Sequence, residues 1–306
     1  MPARMSLRPA AVEVGTPWTN CFGVARSLIA VGPLLTLLFT RGSDLVFPFT
    51  DASDPNPCRG AATLLLFCVG GENVHPEVKR WLAAALFAAA VSGWRPRLTC
   101  LPHAYAAFSF FNGISTPEGG DQISSIVALL LIPVCLTDSR RWHWQPGDPD
   151  PTRSGPRWAT IGIIGIALIK LQVSWVYLQA GISKLSQESW DNGTAMYYWT
   201  RNADFGVANW QRAVIFWFTK QPIPEAVLTW FPIVIEISLG ISLLLPLRAR
   251  IPLLCAGILM HLLIGLLIGL WSFAIIMWGC LIFLLAPAGL QLIKHQKPDV
   301  GARTYL

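Results

Sequence analysis

The chain has 306 residues, of which 53% are hydrophobic and only 13% charged, and its formal net charge is +6 at pH 7. A soluble domain typically carries about a quarter charged residues, so these values exclude that class and point to a polytopic membrane protein. The positive charge sits in short clusters between apolar runs, a pattern that orients a protein in a bilayer rather than one that grips nucleic acid, and no nucleic-acid partner is expected.

Residues 1–19 read as a cytoplasmic segment. Eight apolar runs follow, each near the ~20 residues that a bilayer core demands. The first, residues 20–40, holds Arg26 in "FGVARSLIA". It has no small-residue cleavage site behind it and is expected to stay as a span rather than leave as a signal peptide. The run "GAATLLLFCVGG" (60–71) is too short to cross and reads as a re-entrant or interfacial outer segment. Cys58 and Cys68 fall in this outer stretch. On one helix they would be about 15 Å apart, so a disulfide between them needs a turn; two unrelated thiols are the other reading. The seven cysteines show no CxxC and no metal-ligand spacing, so no metal site is expected.

Spans two to four are expected at 79–95, 99–116 and 122–138, the last opening on Asp121 and Gln122 in "GGDQIS". "WQPGDPDPTRSGP" (144–156) reads as a cytoplasmic loop. Span five, 158–184, carries Lys170, Tyr177 and Lys184 at intervals of seven, along one helix stripe, with Gln172 and Gln179 on a second. An outer loop, 186–225, contains Trp190, Trp199, Trp210 and Trp217, and its "NWQRAVIFWFTK" (209–220) is expected to lie flat on the membrane surface. Spans six, seven and eight, at 226–246, 251–270 and 271–293, bring Glu236, then His261, then a run without charged residues before a cytoplasmic tail, 294–306. The basic pairs Arg4/Arg8, Arg95/Arg97, Arg140/Arg141, Arg248/Arg250 and Lys294/Lys297 all fall on one side if both termini are cytoplasmic. Asp44, Asp51, Asp54, Glu118 and Asp121 then face outward. The expected fold is thus an all-α, multi-pass bundle of about eight transmembrane helices (seven to nine), with outer interfacial helices, in the cell membrane.

Ionisable groups inside spans are expensive and mark candidate sites. Each also has a plainer reading. Arg26 near a span end can snorkel, Glu236 can pair with a cation to hold helices together, and His261 can bridge helices by a hydrogen bond. Lys184 can mark where a span meets water, or it can be a sheltered amine available as a base. A relay through Lys170, Glu236 and His261 would suit a transporter, but no repeated halves are visible. Serine-elbow, HExxH and phosphate-loop motifs are absent from the sequence.

The segment "YLQAGISKL", followed by Trp190 and Gly193, resembles the corresponding part of vitamin K-dependent γ-carboxylase, and Glu236, Arg250, His261, Trp271 and Phe273 follow a similar acidic–Arg–His–aromatic succession. With the Arg26 span these residues resemble the HTTM superfamily over roughly residues 20–290. "NCFGVARSLIA", "GGDQIS" and "AGISKL" are most similar to its SdpB (sporulation-delaying protein B) branch. The resemblance implies a membrane factor that matures an exported antimicrobial peptide beside a small SdpA-like partner protein. It implies Lys184 as a general base, with His261 and Glu236 in the same catalytic cavity and Tyr177, Lys170, Gln179, Asp121, Gln122, Trp190, Arg250 and Arg26 as candidate lining. A membrane quinol such as vitamin K is implied only remotely. The carboxylase has a histidine where this chain has Asp121 and Gln122, and a large substrate-binding extramembrane domain after its spans, so carboxylation itself is not expected. A non-enzymatic export scaffold or immunity protein is the competing expectation.

Overall fold

The computed structural model describes residues 16–45, 58–147, 155–203, 206–287 and 289–292. Arg4, Arg8, Asp51, Asp54, Lys294 and Lys297, and with them most of the two expected cytoplasmic ends, lie outside these residues. The described chain is helical without a β-strand: α1 (Asn20–Phe39), α2 (Gly42–Leu45), α3 (Pro76–Ser92), α4 (Pro96–Gly113), α5 (Gly119–Leu136), α6 (Pro156–Leu185), α7 (Glu188–Asp191), α8 (Ala195–Trp199), α9 (Arg212–Phe218), α10 (Pro222–Gly240), α11 (Leu247–Ile268) and α12 (Trp271–Leu285).

Helix starts follow local chemistry. Pro76, Pro96, Pro156 and Pro222 open four of the long helices, where a missing N–H would have no partner in any case. Thr19 caps α1 by accepting from the Phe22 N–H at 3.0 Å, one of the donors a helix start leaves open. Gly269, with φ +82°, ends α11 in the left-handed region and lets α12 double back two residues later.

Each of the eight predicted runs contains a helix, although the last, 271–293, is helical only as far as Leu285, and five of these helices are long and apolar enough to cross a membrane: α1, α5, α6, α10 and α11. α3 has 17 residues, α12 has 15, and α4 is less apolar. At about 22 Å, α12 falls short of the ~30 Å hydrocarbon core, yet it is the most enclosed element, packed on α1, α5, α6 and α11. α1 also rests on α3, α4 packs on α5, and α6 packs on α5 and α10. One apolar core joins α1, α5, α6, α10, α11 and α12. A second joins α1, α3, α4 and α5.

The bundle has two distinct ends. At one, the Trp18 indole N–H donates to Val134 O (3.2 Å) and Thr137 Oγ1 (3.1 Å), the Leu292 N–H donates to Asn20 Oδ1 (2.7 Å), and the Arg95 N–H donates to Arg141 O (2.7 Å). The start of α1, the ends of α5 and α12 and the start of α4 therefore meet there, and Gly162 near the start of α6 packs against Pro17 and Thr137 beside them. Arg95, Arg97, Arg140, Arg141, Arg248 and Arg250 sit at this basic end. At the other end lie the close of α6 and the starts of α5 and α12.

The segment 60–71 forms no spanning helix. Leu65, Leu66, Phe67 and Cys68 are buried. The Leu66 N–H donates to Ser109 Oγ, Tyr105 OH donates to Leu64 O, and the Lys79 ammonium donates to the carbonyls of Phe67 and Gly71. A disulfide joins Cys58 to Cys68, with Cα atoms 5.3 Å apart. In the loop between α6 and α10, α9 exposes Val214 and Trp217.

Candidate functional site

The register of α6 against α10 builds the site. A Cβ on Gly181 would stand 2.8 Å from Ile237 Cγ1 and 3.3 Å from Glu236 Cβ, so only glycine permits this helix separation. Two turns further back along α6, the Ser174 hydroxyl donates to Gly240 O at 2.5 Å. This antiparallel seam sets Lys184, three residues beyond Gly181, against Glu236. The ammonium donates to both carboxylate oxygens, at 2.6 and 2.8 Å, and makes a longer contact of 3.3 Å to Ala180 O. It also lies 5.3 Å from the Trp190 ring centroid, over the ring. The Lys184 side chain is 22% exposed and that of Glu236 10%. The amine thus points into the protein, in an ion pair, and not outward toward lipid.

Two turns earlier on the same stripe, Tyr177 is buried and shares a 2.9 Å hydrogen bond with His261 Nε2. His261 is buried too, meets Phe273 edge-on at 5.4 Å, and its Nδ1 has no partner. Two cavities flank the ion pair. One, of about 360 Å³, runs between α5, α6, α11 and α12 and is lined by Gln122, Gln172, Gln179, Tyr177, His261 and Met277 among others. The other, of about 200 Å³, is walled by Trp190, Trp199, Phe231, Leu263 and Leu267. Lys184, Glu236 and Phe273 border both. A charged pair between a polar and an aromatic chamber can hold a proton at the meeting point of two ligands.

Other residues singled out in the sequence go elsewhere. Lys170 shares the Lys184 stripe but lies fourteen residues away, about 21 Å along the helix. It donates to Leu284 O (3.1 Å) and Ala286 O (2.8 Å). An ammonium on the last carbonyls of α12 offsets the negative end of that short helix and satisfies backbone that would otherwise be stranded at membrane depth. Arg250 donates to Leu243 O and Leu245 O, closing the turn after α10. Asp121 accepts from the Glu118 N–H at 3.0 Å in the capping box that starts α5. Neither a Lys170–Glu236–His261 relay nor an Arg250 contribution is assembled. Among the described residues no group of three or more His, Cys, Asp or Glu could hold a metal.

Arg26 belongs to the basic end and does not snorkel. It is fully buried, donates to Thr99 Oγ1 at 2.8 Å, and lies 3.4 Å from His143 Nδ1. His143 Nε2 lies 3.1 Å from Ser27 Oγ, which donates to Val91 O at 3.0 Å. Burial, then the charges of Arg26 and Arg140, press the His143 pKa down to about 2. The neutral ring therefore accepts from Arg26 through one nitrogen and donates to Ser27 through the other. Across the bundle, burial and the neighbouring Asp121 raise the carboxyl of Glu118 to about 7.

The sequence reading missed the aromatic chamber. Trp199 reads only as a headgroup-boundary residue and Phe231 as an ordinary apolar position, and only the place of Pro232, one turn before Glu236, hints at a shared face.

The HTTM domain family matches residues 150–287, a range that contains Lys184, Glu236, Tyr177 and His261. The chain is 34% identical over 272 residues to the uncharacterized protein YitO of Bacillus subtilis (strain 168), covering 89% of this chain and 86% of that one. It is 32% identical over 281 residues to the sporulation-delaying protein SdpB of the same organism, covering 90% and 84%. No solved structure matches.

Proposed function

The chain belongs to the SdpB-like family of HTTM membrane proteins, and from that premise we propose that it matures an exported peptide toxin at the membrane, with the Lys184–Glu236 pair as its proton-handling centre. The observation that carries this reading is the position of the pair between two cavities, beside a histidine with an open nitrogen. An ammonium bonded to a carboxylate is not yet a base. Desolvation works against separated charge. A substrate that expels water from the cavities favours passage of the proton from Nζ to the carboxylate, and the neutral amine left behind is a base. His261, steadied by Tyr177, offers the second acceptor. The exported peptide precursor and a small SdpA-like protein are the proposed partners, and both termini are proposed to be cytoplasmic, beside the basic end.

The aromatic chamber, with the ion pair as its one polar end, also fits an amphipathic ring such as a quinol. Bound there, a quinol would supply an acidic hydroxyl, and Trp190, Phe273 and the pair would hold it. No proton step is assigned to it, because Asp121 and Gln122 stand where the carboxylase has a histidine.

The same pair also ties α6 to α10, which favours a second reading as a non-enzymatic scaffold or immunity protein. The two part at Lys184. Lys184→Ala and Lys184→Arg, at matched protein levels on immunoblots, are expected to lower mature peptide in culture supernatants at least a hundredfold by mass spectrometry, because arginine keeps the charge but gives up no proton at neutral pH. Normal maturation with arginine would leave the scaffold reading standing and retire the base.

A further inference from the structure

Three glutamines remain unaccounted for by the proton centre. Gln172 and Gln179 on α6 and Gln122 on α5 line the polar cavity, and their side-chain amides make no hydrogen bond among the described residues. Gln122 and Gln179 are exposed, on two helices apolar enough to cross a membrane. An amide without partners is costly away from water. His261 Nδ1, buried and unpartnered, lines the same cavity deeper in. Four open valences thus lead from the α5–α6 surface to the ion pair.

We propose that this cleft is the entry groove for the exported peptide, which it takes as an extended strand read through its backbone; this rests on the peptide-maturation reading above. A primary amide offers one donor side and one acceptor side, the complement of a peptide group. Gln172 and Gln179 are two turns apart, about 10.5 Å, close to three residues of extended chain at ~3.3 Å each. Gln122 faces them from α5, so a strand lying between the helices meets amides on both sides. Backbone readout tolerates varied side chains and leaves one residue at the inner end to reach His261 and Lys184. A lipid tail would satisfy none of these amides.

The test uses the full chain in nanodiscs and a dye-labelled ten-residue alternating Leu–Ala peptide, with its backbone N-methylated counterpart as control. Saturable binding of the first is expected, weakened at least tenfold by N-methylation and at least tenfold by the triple variant Gln122→Leu/Gln172→Leu/Gln179→Leu. Leucine suits an apolar helix, so thermal unfolding of the triple variant should match the parent. Equal binding of both peptides, equal binding by the triple variant, no saturable binding, or displacement by phosphatidylglycerol alone would each overturn the groove. Failure of the proton centre shows separately, as normal maturation in Lys184→Ala with peptide binding intact.

Discussion

At the basic end, Arg26 is fully buried and commits its guanidinium to Thr99 and His143; at the other end, the Lys184 side chain is 22% exposed and borders two cavities. Both are cations in apolar helices, and each would be expensive if left to lipid. The Arg26 network is packed solid: His143, fully buried, is wedged between Gly23 and Gly93, its second nitrogen and Ser27 pass the chain of bonds on to the Val91 carbonyl, and the one open donor, Arg26 Nε, borders neither of the two cavities at the Lys184 pair. The Lys184 network is open, since His261 Nδ1 and three glutamine amides point at space. Burial of a charge therefore does not mark function in this molecule. Unused hydrogen-bonding capacity beside a cavity does.

His143→Ala is the hardest blow to this contrast. It removes a packed ring and leaves a buried guanidinium short of an acceptor, with no carboxylate in ion-pair range among the described residues. A cavity plus a stranded charge costs about 3–5 kcal/mol. Thermal unfolding in detergent should drop accordingly, while mature peptide per folded molecule stays at the wild-type level. If stability held and maturation vanished, the closed network would be a site after all.

A smaller effect is expected at the open end. Lys184→Met leaves Glu236 without its cation and Glu236→Gln leaves Lys184 without its anion, each at about 2 kcal/mol for a pair that water still reaches. The double variant should lose less than about 1 kcal/mol, because the two changes remove a single interaction. Mature peptide should stay absent in all three. Maturation returning with stability in the double variant would mean that the pair is only a clamp between α6 and α10.

How much of this was visible in the amino-acid order differs between the two ends. The eight runs predicted eight helices, and Lys184, Glu236, His261 and Tyr177 stood out as polar groups in apolar surroundings. That Lys184 meets Glu236 was not legible, because the contact spans 52 positions and depends on the register fixed where Gly181 meets Ile237. The heptad stripe promised Lys170 to the same cavity, and the C-terminal end of α12 claims it instead. Arg26 stood open between cavity lining and snorkelling, because nothing periodic announces that the turn around His143 folds beneath α1. Hydropathy finds helices; it does not find which loop closes under which helix.

The gentlest probe asks which end feels pH. Glu118, the residue that caps α5 beside the polar cavity, has its carboxyl raised from 4.5 to about 7 by burial and by Asp121. The folded protein therefore holds this proton more tightly than the unfolded chain does. Its stabilising share is complete below about pH 4.5 and is lost as pH climbs through about 7, since the unfolded state then binds fewer protons than the folded one. A shift of that size would be worth about 3 kcal/mol in full, and partial exposure to water reduces it to about 1 kcal/mol. Wild-type unfolding temperature should thus fall between pH 5 and pH 8. Glu118→Gln, which still offers a carbonyl to the Asp121 N–H, should flatten that fall and be the more stable protein at pH 8. His143, held to about 2 by burial and two arginines, does not titrate in this window, so the closed end should stay silent. Parallel pH curves for Glu118→Gln and the wild type would break the assignment, and would mean that neither end senses protons in the physiological range through this carboxyl.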